Sequence, residues 1–159
     1  MKYATVNAYK VFCRYYKIDW DPIKTPYEPE EVFIPLETEI DCLISACNKK
    51  TSAFLQVLKD TAARFSEVLQ LRWTDLNKED NTISINRPGK GSNTRTIEVP
   101  AATLKVLDNL LKDNGEYVFK QGTDGEGLKR TFRRKRAEVA AAKMQNPRLL
   151  KIHFHTLRH

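Results

Sequence analysis

Three short segments of the chain carry side chains that can do acid–base or anion chemistry. The first holds Arg64 and Glu67, one helical turn apart, and the second places Lys90 between two glycines. The third, residues 155–159, reads HTLRH. Guanidinium groups bind phosphate oxygens through paired hydrogen bonds, an ammonium group can donate a proton, and an imidazole can donate or accept one near neutral pH. These residue types therefore suit the binding and reaction of a phosphate.

Each segment also has a simpler interpretation when it is taken alone. Arg64 and Glu67 have the spacing of a common ion pair on a helix surface. Lys90 would be a turn lysine, and His155 would be an ordinary histidine at a helix start. The three histidines of residues 153–159 could suggest a metal site, but no Cys or carboxylate lies near them in the sequence, so we expect no metal.

Charge is distributed unevenly along the chain. The 159 residues carry a net charge of +7, and residues 129–159 contain ten Lys and Arg residues but only one acid, Glu138. A basic region of this kind indicates a polyanionic partner such as nucleic acid, although the same residues could form a solvated helix face.

Other features of the sequence exclude several classes of protein. No apolar run approaches the roughly 20 residues that a membrane span needs. The first residues mix Tyr and Lys and lack the apolar segment of a signal peptide. The three cysteines, Cys13, Cys42 and Cys47, show no metal or disulfide spacing, as expected of a reduced intracellular protein.

The elements that position these residues are predicted to be mainly helical. Hydrophobic periodicity predicts helices over 2–17, 36–47, 52–60, 67–71, 101–112 and 128–144, the second and fourth capped by Thr38 and Ser66. Two alternating segments, Thr82–Asn86 and Arg95–Val99, flank a turn rich in Gly, Pro and Asn, which predicts a β-hairpin. Its buried face would carry Ile83, Ile85, Ile97 and Val99.

The three segments together resemble the signature motifs of the tyrosine recombinase (phage integrase) family. Residues 61–75, TAARFSEVLQLRWTD, are similar to T-G-x-R-x-S-E-[LV]-x-x-L-x-W-x-D, with Ala62 where the family usually has Gly. Residues 89–91, GKG, and 94–100, TRTIEVP, are similar to G-K-G…R-x-[IV]-x-[VL]-P, and residues 155–159 match H-x-L-R-H. The resemblance covers about Phe33 to His159, and residues 33–35 look most like archaeal or archaeal-virus integrases.

The resemblance implies a role for each matching residue. It makes Arg64 and Arg158 the phosphate-binding arginines, Lys90 the general acid for the leaving 5′ oxygen, and His155 the histidine that holds a proton or the phosphate. Glu67 and His159 would support this site. The basic helix would contact the DNA backbone through Lys129, Arg130, Arg133 and Arg134.

The implied reaction is site-specific cleavage and rejoining of duplex DNA through a 3′-phosphotyrosyl intermediate, without a cofactor. The family's tyrosine follows the H-x-x-R motif by a few dozen residues, whereas all six tyrosines of this chain precede His155. We therefore expect a chain that is cut off before its nucleophile and does not cleave DNA alone. Two alternatives are a non-catalytic DNA-binding regulator of recombination and a type IB topoisomerase.

The expected architecture is an α+β fold of the tyrosine recombinase catalytic domain, mainly α with a small antiparallel hairpin or three-stranded sheet. Residues 1–20 would be the tail helix of an N-terminal DNA-clamping domain, 21–35 a proline-rich linker and 36–159 the catalytic domain. We expect duplex DNA as the partner, no membrane, and the cytoplasm of a prokaryotic cell or virus-infected host. The full-length enzyme would be a tetramer on two DNA sites, with a monomer allowed for this chain.

Overall fold

A computed structural model describes residues 2–20, 33–89, 91–110, 115–119, 125–143 and 145–158. The chain divides into two compact units, Met1–Val32 and Phe33–His159. Among the described residues, no helix is both long and apolar enough to cross a membrane.

The described residues of the first unit form one helix, α1 (Lys2–Tyr15), which confirms the helix predicted over 2–17 to within two residues. Lys17 then adopts a left-handed φ of 55°, and the Ile18 N–H bonds to the Cys13 carbonyl at 2.9 Å. This reversal stops the helix. Residues 21–32 of the predicted linker lie outside the described residues.

The second unit is built around a helix that is buried on several sides. This helix, α3 (Lys49–Thr61), includes Phe54, Leu55, Val57 and Leu58, each with at most 1% of its surface exposed. Burying side chains of this size stabilises a fold by about 1.5–3 kcal/mol each. The remaining helices are α2 (Glu37–Ala46), α4 (Phe65–Leu69), α5 (Ala101–Asp108) and α6 (Glu126–Glu138).

The predicted hairpin is confirmed, and a short third strand joins it. The antiparallel strands β1 (Leu76–Asn77), β2 (Thr82–Ile85) and β3 (Arg95–Glu98) lie in the order β1-β2-β3. Ile83 pairs with Ile97 across the hairpin. Ile83 and Ile85 are buried, Ile97 is half-buried, and Val99 is buried just beyond the strand. The alternation of the sequence therefore identified the core face.

The predicted helix caps were wrong because acidic residues within the helices do the capping. Neither Thr38 nor Ser66 stands at a cap position, since α2 begins at Glu37 and α4 at Phe65. The Glu39 carboxylate instead accepts the Leu36 N–H at 2.9 Å, and the Glu67 carboxylate accepts the Arg64 N–H at 2.8 Å. A carboxylate in the first turn satisfies an open backbone donor and favours the helix dipole.

The basic helix is shorter than predicted. Its α-helical part ends at Glu138, and Val139–Lys143 continues as a π-helical turn. Two turns of 3-10 helix, Pro147–Lys151 and Thr156–Arg158, then lead through the predicted histidine segment.

Candidate active site

Arg64 stands at a sharp corner between α3 and α4. Ala62 ends α3 in the left-handed conformation, with φ 49°, and its N–H bonds to the Leu58 carbonyl at 3.0 Å. Ala63 is buried, and Arg64 then adopts an extended backbone before α4 begins. A left-handed residue is the usual way to end a helix, and Gly is the residue that adopts it most easily. Ala62 thus makes this left-handed turn at some conformational cost, at the position where the motif it resembles has Gly.

A buried carboxylate lies behind Arg64. Glu67 is 3% exposed, and its Oε2 accepts the Arg64 N–H at 2.8 Å and an Arg95 Nη2 hydrogen bond at 2.7 Å. Its Oε1 accepts Arg64 Nη1 and the Gly89 N–H, both at 3.1 Å. One carboxylate therefore joins α4, the hairpin turn and β3.

These hydrogen bonds decide the charge of Glu67. Burial alone would raise the pKa of this carboxyl, but the hydrogen bonds from Arg95, from the Arg64 and Gly89 backbone and from the Arg64 side chain outweigh it. The pKa falls from 4.5 to about 2. Glu67 is therefore ionised at neutral pH and fixes its partners in place.

The Arg64 guanidinium is held through one nitrogen. Its Nη1 donates to Glu67 Oε1 and to the Gly89 carbonyl, each at 3.1 Å, and also to the Ser92 hydroxyl. Within the described part of the chain, every side-chain hydrogen bond of Arg64 is made through Nη1, and a quarter of the side chain is exposed. The Nε and Nη2 donors can therefore bind two oxygens of an anion side by side.

The hairpin turn supplies part of this pocket. A Cβ at Gly89 would meet Ser66 Oγ at 3.5 Å and Arg64 Cδ at 3.8 Å, so the turn lies directly against the α4 corner. The Ser92 N–H bonds back to the Gly89 carbonyl at 3.2 Å, and Gly91 has φ 71°. Lys90, between these glycines in sequence, lies outside the described residues.

An aromatic cluster brings the histidine segment to the Arg64 corner. The Phe154 ring lies 4.8 Å from the Phe65 ring and 4.5 Å from the Phe132 ring, measured between centroids. Phe65 follows Arg64 in sequence and Phe154 precedes His155. The contact between the Phe65 and Phe154 rings therefore brings the sequence neighbours of Arg64 and His155 together.

The turn around His155 is closed by a side chain. The Thr156 hydroxyl accepts the His153 N–H at 3.1 Å and donates to the His153 carbonyl at 2.8 Å. Leu157 is buried and His155 is exposed. Arg158 ends the last helical turn and is described for its backbone alone, and His159 lies outside the described residues.

The four predicted DNA contacts of α6 occupy two sides of that helix. Lys129 and Arg133 line a cleft with Phe154, and Lys129 Nζ also lies 5.3 Å from the Phe65 ring centroid. Arg130 lines a separate cavity of about 300 Å³. Arg134 is 69% exposed and lies 3.7 Å from Glu138. Successive residues of an α-helix are rotated by about 100°, so the pairs 129/133 and 130/134 face different directions.

Sequence reasoning missed several members of the site. Arg95 was part of a motif and Ser92 part of the turn between the two strands, both without a role, yet Arg95 binds Glu67 and Ser92 binds Arg64. Arg136 faces the same cleft as Arg133, and its spacing of three residues could have identified it. Among the described residues, no three His, Cys, Asp or Glu side chains are grouped to hold a metal ion.

Residues 36–159 match the model of the phage integrase family. The chain belongs to this family. The resemblance seen in the sequence and the expected fold class, mainly α with a small antiparallel sheet, are thereby confirmed. The archaeal or archaeal-virus origin stays a prediction.

Solved structures share the integrase fold with this chain at low sequence identity. A XerA recombinase matches with a TM-score of 0.64 at 23% identity, covering 99% of this chain and 58% of its own. The catalytic domain of bacteriophage HP1 integrase matches with a TM-score of 0.53 at 20% identity, covering 81% and 68%. The integrase of mycobacterium phage Brujita matches with a TM-score of 0.54 at 18% identity, covering 99% and 54%. A comparison with curated protein sequences found no significant match.

Proposed function

We propose that this chain is the strand-cleaving and strand-joining part of a site-specific DNA recombinase. The observation that carries the proposal is the Arg64 guanidinium, which Glu67 and the hairpin turn hold through Nη1 alone, so that its Nε and Nη2 make no hydrogen bond to the described residues. A phosphate bound there would meet two parallel donors. Family membership supports DNA as the source of that phosphate.

In this proposal the remaining site residues neutralise the charge of the phosphate, transfer or hold a proton, or support the site. Arg158 joins Arg64 in neutralising the two non-bridging oxygens as negative charge builds on the phosphorus. Lys90 gives a proton to the leaving 5′ oxygen during cleavage and removes it again during joining. His155 holds the proton of the nucleophile or hydrogen-bonds the phosphate, and His159 supports the site.

The covalent step of this proposal uses a tyrosine as the nucleophile, and the six tyrosines of the given sequence all precede His155. The 3′-phosphotyrosyl link would conserve the energy of the broken phosphodiester, so no cofactor is required. We propose a tetramer on two DNA sites for the full-length enzyme, acting in the cytoplasm of a prokaryotic cell or infected host.

In this proposal the two units have different roles. Residues 1–20 would end a DNA-clamping domain, 21–35 would be a linker, and 36–159 would be the catalytic domain. The α6 residues Lys129, Arg130, Arg133 and Arg134 would bind backbone phosphates on the two sides of that helix.

The joining half of the reaction tests this proposal in the chain as it is. A nicked duplex carries a 3′-p-nitrophenyl phosphate, which stands in for the phosphotyrosyl link, beside a strand with a free 5′ hydroxyl. The 5′ oxygen attacks the phosphorus, the bond to the phenol oxygen breaks, and coloured p-nitrophenolate leaves while Lys90 takes the hydroxyl proton. A library of flanking sequences allows sequencing of the joined strands to identify preferred sites.

The proposal predicts joined strands and release of p-nitrophenolate at rates above those without protein. Binding of the library without joining would overturn the catalytic proposal and favour a DNA-binding regulator. Joining of every flanking sequence equally would favour a topoisomerase-like enzyme, which has no need of defined sites.

A further inference from the structure

A second cluster of cations lies in a cleft beside the Arg64 site. The cleft encloses about 170 Å³. Since liquid water takes about 30 Å³ per molecule, the cleft has room for several waters or one phosphate group. Its lining comprises Lys129, Phe132, Arg133 and Arg136 of α6 and His153 and Phe154 of the histidine segment.

The charged groups of this lining all carry or can carry positive charge. Among the described residues that line it there are three cations, one histidine and no carboxylate. Lys129 is paired with Glu126 at 2.7 Å, outside the lining, while Arg133 is exposed. Like charges so close together destabilise one another, and an anion between them would relieve that repulsion.

Arg136 and His153 form an unusual contact within the cleft. Arg136 Nη1 donates to the Ile152 carbonyl at 2.5 Å and lies 3.0 Å from His153 Nδ1. A guanidinium has only donors, so Nδ1 accepts and the imidazole is neutral in this arrangement. Burial, followed by the charge of Arg136, lowers the pKa of His153.

The Arg136 side chain is also incompletely satisfied. Its Nε is buried and has no hydrogen-bond partner among the described residues. A buried donor without a partner is unfavourable, so a hydrogen bond from this Nε to an anion would be a favourable change.

We propose that this cleft binds a second phosphate of the DNA backbone, with His153 taking up a proton as the phosphate enters. The inference rests on the proposed function, because the phosphate is that of the same DNA strand region as the one at Arg64. The two sites are adjacent, since Phe154 contacts Phe65 at 4.8 Å and Lys129 lies over the same ring at 5.3 Å. A phosphate between Arg136 and His153 would replace their contact and favour the charged imidazole.

The test measures duplex DNA binding by fluorescence anisotropy over a salt series, at pH 7.5 and pH 5.5. The variants are Arg133→Gln and His153→Gln, and the control is Lys105→Gln, which removes one exposed cation of α5 outside the cleft. Arg133→Gln should lower the slope of log affinity against log salt by about one, whereas Lys105→Gln should leave it unchanged.

Comparing DNA binding at the two pH values tests whether His153 takes up a proton when DNA binds. Because a bound phosphate raises the pKa of His153 in this proposal, wild-type affinity should increase up to about tenfold more than that of His153→Gln between pH 7.5 and 5.5. NMR titration of the labelled imidazole should show a higher pKa with DNA than without it. Circular dichroism melts check that each variant is folded.

The outcomes separate this inference from the proposed function. Suppose the wild type binds DNA with a salt dependence, Arg133→Gln matches Lys105→Gln, and His153→Gln keeps the wild-type pH response. That result would overturn the second phosphate site and Arg133 as a phosphate contact, and would leave the proposed reaction at Arg64 standing. An absence of DNA binding by the wild type would overturn the proposed function and this inference with it.

Discussion

Glu67→Gln is expected to destabilise the protein by about 3 kcal/mol, because this substitution removes the charge shared by two arginines while preserving the shape of the side chain. Removing one partner of a buried ion pair costs about 3–5 kcal/mol. The Arg64 and Arg95 side chains are 25% and 32% exposed, so solvent screening reduces that figure. The amide of the variant side chain also has an N–H group in place of one carboxylate oxygen. This N–H would face a hydrogen-bond donor that now bonds to the carboxylate.

The pH dependence of stability gives a second route to the same magnitude. The pKa of Glu67 is about 2 in the folded protein against 4.5 for the free group. A difference of roughly 2.5 units corresponds to about 3 kcal/mol. Because the folded pKa is the lower one, this stability is fully present above pH 4.5 and is lost as the pH falls from 4.5 to about 2.

Urea unfolding followed by circular dichroism measures both effects. At neutral pH the variant should lose about 3 kcal/mol and melt roughly 6–12 °C lower, and the difference from wild type should shrink below pH 4.5. Glu98→Gln, at an exposed glutamate of β3, should change the free energy of unfolding by less than about 0.5 kcal/mol. Equal stability of Glu67→Gln and Glu98→Gln across the pH range would refute the reasoning.

Two further substitutions test the turns around the site by thermal unfolding. Ala62→Gly should stabilise the protein by about 0.5–1 kcal/mol, since Ala62 is exposed with φ 49°. The control Ala102→Gly, within α5, should destabilise it by about 1 kcal/mol. A loss of stability in both variants would contradict the left-handed turn. Gly125→Ala should cost about 2–4 kcal/mol, because Gly125 has φ 79° and a Cβ there would lie 2.8 Å from Phe65 Cζ. Gly127→Ala should cost nothing, because a Cβ there would meet no atom of the described residues within 4 Å beyond its own helix backbone and chain neighbours. Similar losses in both variants would argue against this packing.

The regular elements were predictable because their signals are local. Alternation at Ile83 and Ile85 identified the buried face of the hairpin, and helical spacing identified α1. The helix starts were harder, since the expected Ser or Thr at the cap is replaced by a carboxylate inside the first turn. Glu39 and Glu67 look like ordinary surface acids in the sequence, yet both are buried.

The sequence predicted which residues form the site better than it predicted which of them contact one another. The spacing of Arg64 and Glu67 predicted their ion pair, which the structure confirms at 3.1 Å. The sequence did not show that Arg95, 28 residues away, shares the same carboxylate. Nor did it show which side of α6 meets His153, because helical periodicity tells which residues share a side but not what packs against it.

The most direct test of the central claim is the rate of strand joining by the wild-type chain and by Arg64→Ala, with the 3′-p-nitrophenyl phosphate duplex as substrate. Loss of one donor to the developing negative charge should lower the rate about 10²–10³-fold. Arg64→Lys, which keeps the charge without the fork, should lose most of that rate as well. Joining by Arg64→Ala at the wild-type rate would contradict the assignment of Arg64 as a phosphate-binding catalytic residue.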